Sequence, residues 1–431
     1  MRRSNQQRAK APPIFPPAPS WPRDETALLT ETDTSLALLL WQRARDVRLW
    51  AMVAQESRAG LFVGGETVES ALEAADGLAD GLSAPLRALA ALARYPEFVT
   101  ARDVCAACLA VSEWAGSSHM PETALHFAEA ASLADPDSAQ AAAAAGTACA
   151  HQAADQRAEV WFQRAIRIAR RTSDWEWHAR GYIRLGLLFY ELGDLNRARR
   201  AYERAHASAK WSGHYAYAAK AHHDLLLVEC ATGTYESGER HARRALELYP
   251  AQFPRLPYLT HDFAYLLTCH GAFADALEVL DAVLPFLSRP WERVAIMGTI
   301  SKAAAGVGDH HRHTQAVADL LLLASVADTH AAAALVLAAE GAQLLQERER
   351  AERLATYGLQ VARRRREREP QRRARRVLDG GDISAAVSPP APERVAVTKS
   401  LFLARLRKLS ASAAETVTHT DFAQFTMSGR L

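Results

Sequence analysis

The chain has 431 residues, with Lys and Arg (51) almost balanced by Asp and Glu (49), and 49% of it is hydrophobic. Gly (22) and Pro (19) are near average, which excludes a collagen-like or wholly disordered chain, and there is enough apolar material to bury a large core. The length suits two or three ordinary domains or one elongated array, and 88 alanines, about a fifth of the chain, set it apart from both averages.

In chain order the composition changes sharply. Residues 1–23 carry five basic groups, no acid and six prolines, and are expected to be a disordered arm. Residues 24–100 read as a helical N-terminal region, with Leu36, Leu39, Leu40, Arg43 and Val47 on one face and a break at Gly64–Gly65 before a second helix. Residues 101–362 repeat themselves. Residues 363–376 hold nine arginines and two glutamates, continuing the last helix until Pro370 ends or kinks it, and 363–395 form an Arg-rich helix end and linker. Residues 396–410 are expected to form a short amphipathic helix that caps the array or plugs its groove, and 411–431 a flexible tail. With +5 in the arm, +7 in the Arg run and +1 beyond it, the net charge of +2 leaves −11 on residues 24–362: an acidic body with basic ends.

The repeat shows as small residues at matching places. Gly146, Gly186, Ala264, Ser301 and Ala339 mark first helices. Ala124, Ala158, Ala198, Gly238, Ala276 and Ala351 lie early in second helices, with Ala131, Ala165, Ala205 and Ala245 near their ends. Antiparallel helices whose backbones approach closely need small residues where they cross, with bulky neighbours between. A period of 34 to 40 residues with two helices per unit signals a helical solenoid. Gly193, Gly233, Gly271 and Gly308 fall at the turn inside successive units.

The segment Leu185-Gly186-x-x-Phe189, Gly193, Ala198, Tyr202 and Ala205 resembles the tetratricopeptide repeat signature, and Gly146 with Ala158, Phe162 and Ala165 gives a second match. Later units depart from it, with Leu226 in place of a small residue and His313 in place of an alanine. The resemblance is to the bacterial type with extended units of 37–40 residues. It implies an all-α, right-handed solenoid of antiparallel helix pairs, with a concave groove that binds protein or peptide and no chemistry of its own. Groove positions transferred from the family fall on Arg180, Lys220, His223, Tyr258, His261, Tyr265 and Lys302, a basic and aromatic set in the acidic body. The asparagines of the family's carboxylate clamp are not among them.

No catalytic site, cofactor or metal is expected. The phosphate-cradling glycine motifs and the GxSxG elbow are missing from the sequence. Cys105-x-x-Cys108 lies in an Ala-rich helical run, where two packed thiols are expected, not a redox pair. Asp309 to His313 reads as a solvated turn. Trp175 and Trp177 are expected to lock neighbouring units together. Arg363, Arg364, Arg365, Arg366, Arg372 and Arg373 could contact phosphate without reading sequence, and without aromatic groups for base stacking. Five dispersed cysteines, no apolar stretch of membrane length and no secretory signal point to a cytoplasmic protein. The expected function is a non-catalytic scaffold or adaptor for a protein or peptide, with self-association open. The alternative is a regulator of transcription or signalling whose Arg-rich segment touches nucleic acid.

Overall fold

Ala is the strongest helix former and the smallest residue that still has a side chain, so an Ala-rich chain both forms helices and lets them touch. The computed structural model describes residues 26–62, 81–232, 234–250, 253–327, 329–381 and 389–416. Among them are eighteen α-helices and no strand. The Pro-rich arm 1–23, the helix expected after Gly64–Gly65, Gly233 and residues 417–431 lie outside the described residues. The chain divides into two units, Met1–Leu188 and Phe189–Leu431.

The first unit contains α1 (Thr34–Met52), α2 (Ser83–Arg94), α3 (Ala101–Ser117), α4 (Pro121–Ala134), α5 (Ala139–His151), α6 (Asp155–Thr172) and most of α7 (Trp175–Glu191). Leu39, Leu40, Arg43 and Val47 of α1 are buried, and Arg43 pairs with Asp46 at 3.2 Å. Trp50, fully buried, donates to the Pro96 carbonyl at 2.7 Å. The Glu31 carboxylate accepts the free N–H groups of Glu122 and Thr123 at 2.7 and 2.8 Å, so a residue ninety positions upstream caps α4. In the pairs α3–α4 and α5–α6 the small residues lie where expected: a Cβ on Gly146 would meet the Phe162 ring at 2.6 Å. Trp177 packs on Ala139, Ala142 and Ile168 of the preceding pair, which gives it the locking role expected from the sequence. Cys105 and Cys108 are buried free thiols of α3. Burial pushes Cys105 up to about 11 and Cys108 higher still, the reverse of what a redox pair needs.

The second unit opens with α8 (Leu195–Trp211). Four helix pairs follow: α9 (Tyr215–Thr232) with α10 (Tyr235–Leu248), α11 (Leu256–Cys269) with α12 (Phe273–Val283), α13 (Pro290–Gly306) with α14 (His310–Ala324), and α15 (Ala331–Leu344) with α16 (Arg348–Arg365). Two more helices end the chain, α17 (Arg368–Leu378) and α18 (Pro392–Thr416). One hydrophobic core runs from Ala219 of α9 to Leu406 of α18. First helices of successive pairs also touch. A Cβ on Gly298 of α13 would lie 2.5 Å from the Ala334 Cα of α15, so only hydrogen fits at that crossing.

Among the described turns, Gly271 and Gly308 supply a left-handed residue within their pairs, with φ of +76° and +77°, and Gly193 takes the same conformation before α8, with φ of +76°. His119, Ala153 and Gln346 adopt the same conformation at the matching turns. His313 is a correction to the reading of a solvated turn. The turn is Gly308–Asp309, Asp309 caps α14, and His313 is fully buried, its Nδ1 at 3.1 Å from the Ser301 carbonyl. Gly341 makes room for the imidazole: a Cβ there would stand 3.2 Å from the ring.

The C-terminal region departs furthest from expectation. The Arg run does not continue one helix to Pro370. Arg366 takes a left-handed conformation that ends α16, and Pro370 sits in the first turn of α17, where a missing N–H breaks no helical bond. The amphipathic helix expected over 396–410 runs from Pro392 to Thr416 and packs on α10, α11 and α12. Phe402 stacks on Phe263 with ring centres 4.5 Å apart, Thr398 donates to the buried Glu239 at 2.6 Å, and Arg405 donates to the Tyr249 carbonyl at 2.6 Å.

Candidate functional site

First helices of the second unit place side chains at matching positions one repeat apart, so that they form rows. His223, His261 and Thr299 make one row; Tyr265, Lys302 and Glu340 make another. In the first row Asp262 stands between the two histidines, 2.7 Å from His223 Nε2 and 3.1 Å from His261 Nδ1, while His261 Nε2 lies 3.1 Å from Thr299 Oγ1. Burial would raise the Asp262 carboxyl, but the hydrogen bonds from the two rings outweigh it and hold it well below its ordinary range.

The second row is closed by α17. Glu340, only 2% exposed, accepts from Lys302 Nζ at 2.7 Å and from Arg373 through Nε and Nη2 at 2.9 and 2.7 Å. Arg373 Nη1 also donates to the Tyr265 hydroxyl at 2.8 Å. One guanidinium thus spans α11 and α15. Burial works against the charged carboxyl, but Arg373 and Lys302 prevail and draw Glu340 down to about 2. Beside this row Cys269 is hydrogen-bonded to Cys230. That bond, with Lys302 and Arg373 nearby, favours the Cys269 thiolate against burial, and Cys230 is pushed up.

Of the residues singled out from the sequence, Lys220, His223, Tyr258, His261, Tyr265 and Lys302 all belong to first helices of this unit and all are engaged. Lys220 pairs with Asp224, and Tyr258 donates to Glu292 at 2.5 Å while stacking on Trp291. Arg180 belongs to the first unit, where it lies 3.7 Å over the Trp177 ring and 3.2 Å from Glu176. Sequence reasoning missed the acids: Asp224, Asp262, Glu292 and Glu340 balance the bases. The i,i+4 spacing of Lys220 and Asp224 was the one legible signal.

The arginines proposed for phosphate divide by orientation. Arg373 turns inward to Glu340, Arg365 pairs with Glu367 and Arg372 with Glu369, each at 2.7 Å, and Arg363, Arg364 and Arg366 are exposed. Arg368, Arg372, Arg375 and Arg376 line a shallow depression on the outer side of α17. Among the described residues no cluster of three or more His, Cys, Asp or Glu side chains could hold a metal ion, and no helix is long and apolar enough to cross a membrane.

A second histidine group lies between α8, α9 and α10. The rings of His206 and His222 are 4.3 Å apart, and His222 Nδ1 is 3.0 Å from His241 Nδ1. Burial, then the other two histidines, then Arg244 and Lys210 lower His222 to about 3. Burial, then Arg240, Arg199 and His206 lower His241 to about 4. His206 is lowered by burial, Lys210 and Arg244. Folded-state values below the ordinary 6.5 mean that the fold favours neutral rings. Stability is therefore complete above about pH 6.5 and is lost as pH falls toward 4. Lowering pH from 7.5 to 5.5, above the carboxylate range, is expected to remove on the order of 1 kcal/mol after solvent screening. Urea unfolding at the two pH values measures it, and His222→Gln/His241→Gln should flatten the dependence.

No protein-family model matches the sequence, and no curated protein matches it by sequence. Solved structures do match. A Rap protein complexed with competence and sporulation factor is 14% identical, with a TM-score of 0.53 over 77% of this chain and 98% of that one. The Rap conjugation gene regulator of plasmid pLS20, in complex with the Phr* peptide, is 12% identical, with a TM-score of 0.44 over 89% of this chain and 99% of that one. PilF of Pseudomonas aeruginosa is 16% identical, with a TM-score of 0.41 over 53% of this chain and 96% of that one. The first match is a likeness of fold. Together with the repeated pairs and their small-residue crossings, it gives the chain a helical-repeat fold of the tetratricopeptide type.

Proposed function

We infer that this is a non-catalytic scaffold or adaptor that binds a protein or peptide along the first-helix face of its second unit. The observation that carries this is the pair of rows: polar and aromatic side chains recurring at one position per repeat, buried at His223, Thr299 and Glu340, half-buried at His261, Tyr265 and Lys302, and hydrogen-bonded in advance. A lattice of preset donors and acceptors fits an extended chain, whose backbone and side chains also recur at regular intervals. The fold has a precedent for holding a ligand in the Rap protein complexed with competence and sporulation factor. Five free cysteines fit a reducing, cytoplasmic setting.

Peptides selected from a random display library on the full chain, then titrated against wild type and Tyr258→Phe/His261→Gln/Tyr265→Phe, provide the test. The two Phe substitutions keep the ring and remove the hydroxyl, and Gln replaces the imidazole with an uncharged amide of different reach. Affinity is expected to fall at least tenfold, about 1.4 kcal/mol. Equal affinity for both proteins would remove the face from consideration. The outward arginines of α17 favour a second reading, a regulator whose basic helix contacts nucleic acid. That reading requires duplex binding that weakens steeply with salt and is lost in Arg368→Gln/Arg372→Gln/Arg375→Gln/Arg376→Gln.

A further inference from the structure

The face just assigned to ligand is not open. The chain's own α17 lies against α15 and α16, with Ala374 packed on Val336 and Leu359, and from there it projects Arg373 onto both Glu340 and Tyr265. Its apolar footing is small: Ala374 and Val377 are its only fully buried residues. Its polar footing is the Arg373 guanidinium, with the Gln371 side chain donating to the Ala362 carbonyl and Gln343 donating to the Gly381 carbonyl just beyond the helix, each at 3.1 Å. Left-handed residues flank the helix on both sides, Arg366 before it and Gly380 after it. A helix with so little buried apolar surface, joined to its neighbours by such turns, is held in large part by polar contacts, the Arg373–Glu340 ion pair foremost among them.

We propose that α17 is a resident occupant of the first-helix face, and that a peptide partner binds by displacing it and bringing a cationic side chain to Glu340 in place of Arg373. This rests on the peptide-binding reading above and adds the chemistry of exchange. Glu340 is buried between α11, α13 and α15, and stripping Arg373 from it would leave Lys302 as its one remaining partner among the described residues. A buried carboxylate that loses half its counter-charge is strongly disfavoured, so an incoming chain without a cation cannot compete with the resident. Because α17 is tethered, it competes at a high effective concentration, and free partner meets a face that is open only a fraction of the time. Pre-occupancy therefore sets a threshold for binding and selects against uncharged and acidic peptides.

The probe is a fluorescein-labelled synthetic peptide reproducing residues 366–381, titrated into full-length protein. Val377→Asp places a charge in the apolar footing of α17 and leaves Arg373, Glu340 and Tyr265 in place. It should bind the probe at least tenfold more tightly than wild type, and a probe with Gln at the Arg373 position should lose that gain. A second variant guards against misfolding: Val336→Cys/Ala374→Cys, oxidised, pins α17 down. It should bind no probe until a reductant restores the wild-type level. Equal probe affinity for wild type, Val377→Asp and the oxidised tether would overturn the proposal. The library-selected peptides separate the two claims. If they bind the pinned and lifted forms alike, displacement is wrong and the binding face stands; if neither form retains any peptide, the face itself fails.

Discussion

Glu340→Ala should destabilise the second unit by about 3–5 kcal/mol, more than any surface substitution. The loss comes from what stays behind. Lys302 and Arg373 would face each other with no carboxylate between them, both largely buried, and the Tyr265 hydroxyl would be a single neutral acceptor for a guanidinium. Glu340→Gln keeps the shape and two hydrogen-bonding atoms but not the charge, so it should recover part of the loss. Urea unfolding followed by far-UV circular dichroism measures both. A loss under 1 kcal/mol for Glu340→Ala would mean that the three charges are solvated in solution.

Gly298→Leu is expected to cost at least about 3 kcal/mol, at the upper end for overpacking. The obstruction is backbone: a Cβ at this position meets the Ala334 Cα at 2.5 Å and its carbonyl oxygen at 2.9 Å, and neither can rotate away as a side chain could. Gly146 gives the contrast. Its neighbour is the Phe162 ring, which can tilt, so Gly146→Ala should cost less than Gly298→Ala. Thermal unfolding of the two alanine variants side by side gives the order. The reverse order would show that the α13–α15 approach is looser than 2.5 Å implies.

These two sites show where the sequence was readable and where it was not. Small residues at a fixed period were legible because close helix crossing leaves a mark at each crossing: Gly146, Ala158, Ala198, Ala264 and Ala276 are all buried as the pattern requires. The His313 unit obscured the register because the volume had been moved, not lost. An imidazole fills the place of an alanine, and Gly341 on the facing helix supplies the space. The turns at His119, Ala153 and Gln346 were obscure for a related reason: the left-handed backbone repeats, and glycine is one of several residues that adopt it.

The proposed binding face was half legible. Bases and aromatic rings at family positions could be picked out, but acidic partners such as Asp262 for His223 and Glu340 for Lys302 lie a repeat away, and Arg373 lies thirty-three residues beyond Glu340 on a different helix. No local spacing encodes that pairing. The Arg run looked like one solvated helix end because its composition is uniform, while its structure is not. Arg366 breaks the helix, Arg373 turns inward, and Arg368, Arg372, Arg375 and Arg376 remain outside. Position on a helix face decided the role of each arginine, and that became visible only once the helix boundaries were fixed.

A double-mutant cycle with Glu340→Gln, Arg373→Gln and the double variant measures whether Arg373 is seated on Glu340 in solution. A charge-assisted, two-bonded pair in this setting should show a coupling of about 2 kcal/mol in urea unfolding. Coupling indistinguishable from zero would mean that α17 does not rest on the first-helix face.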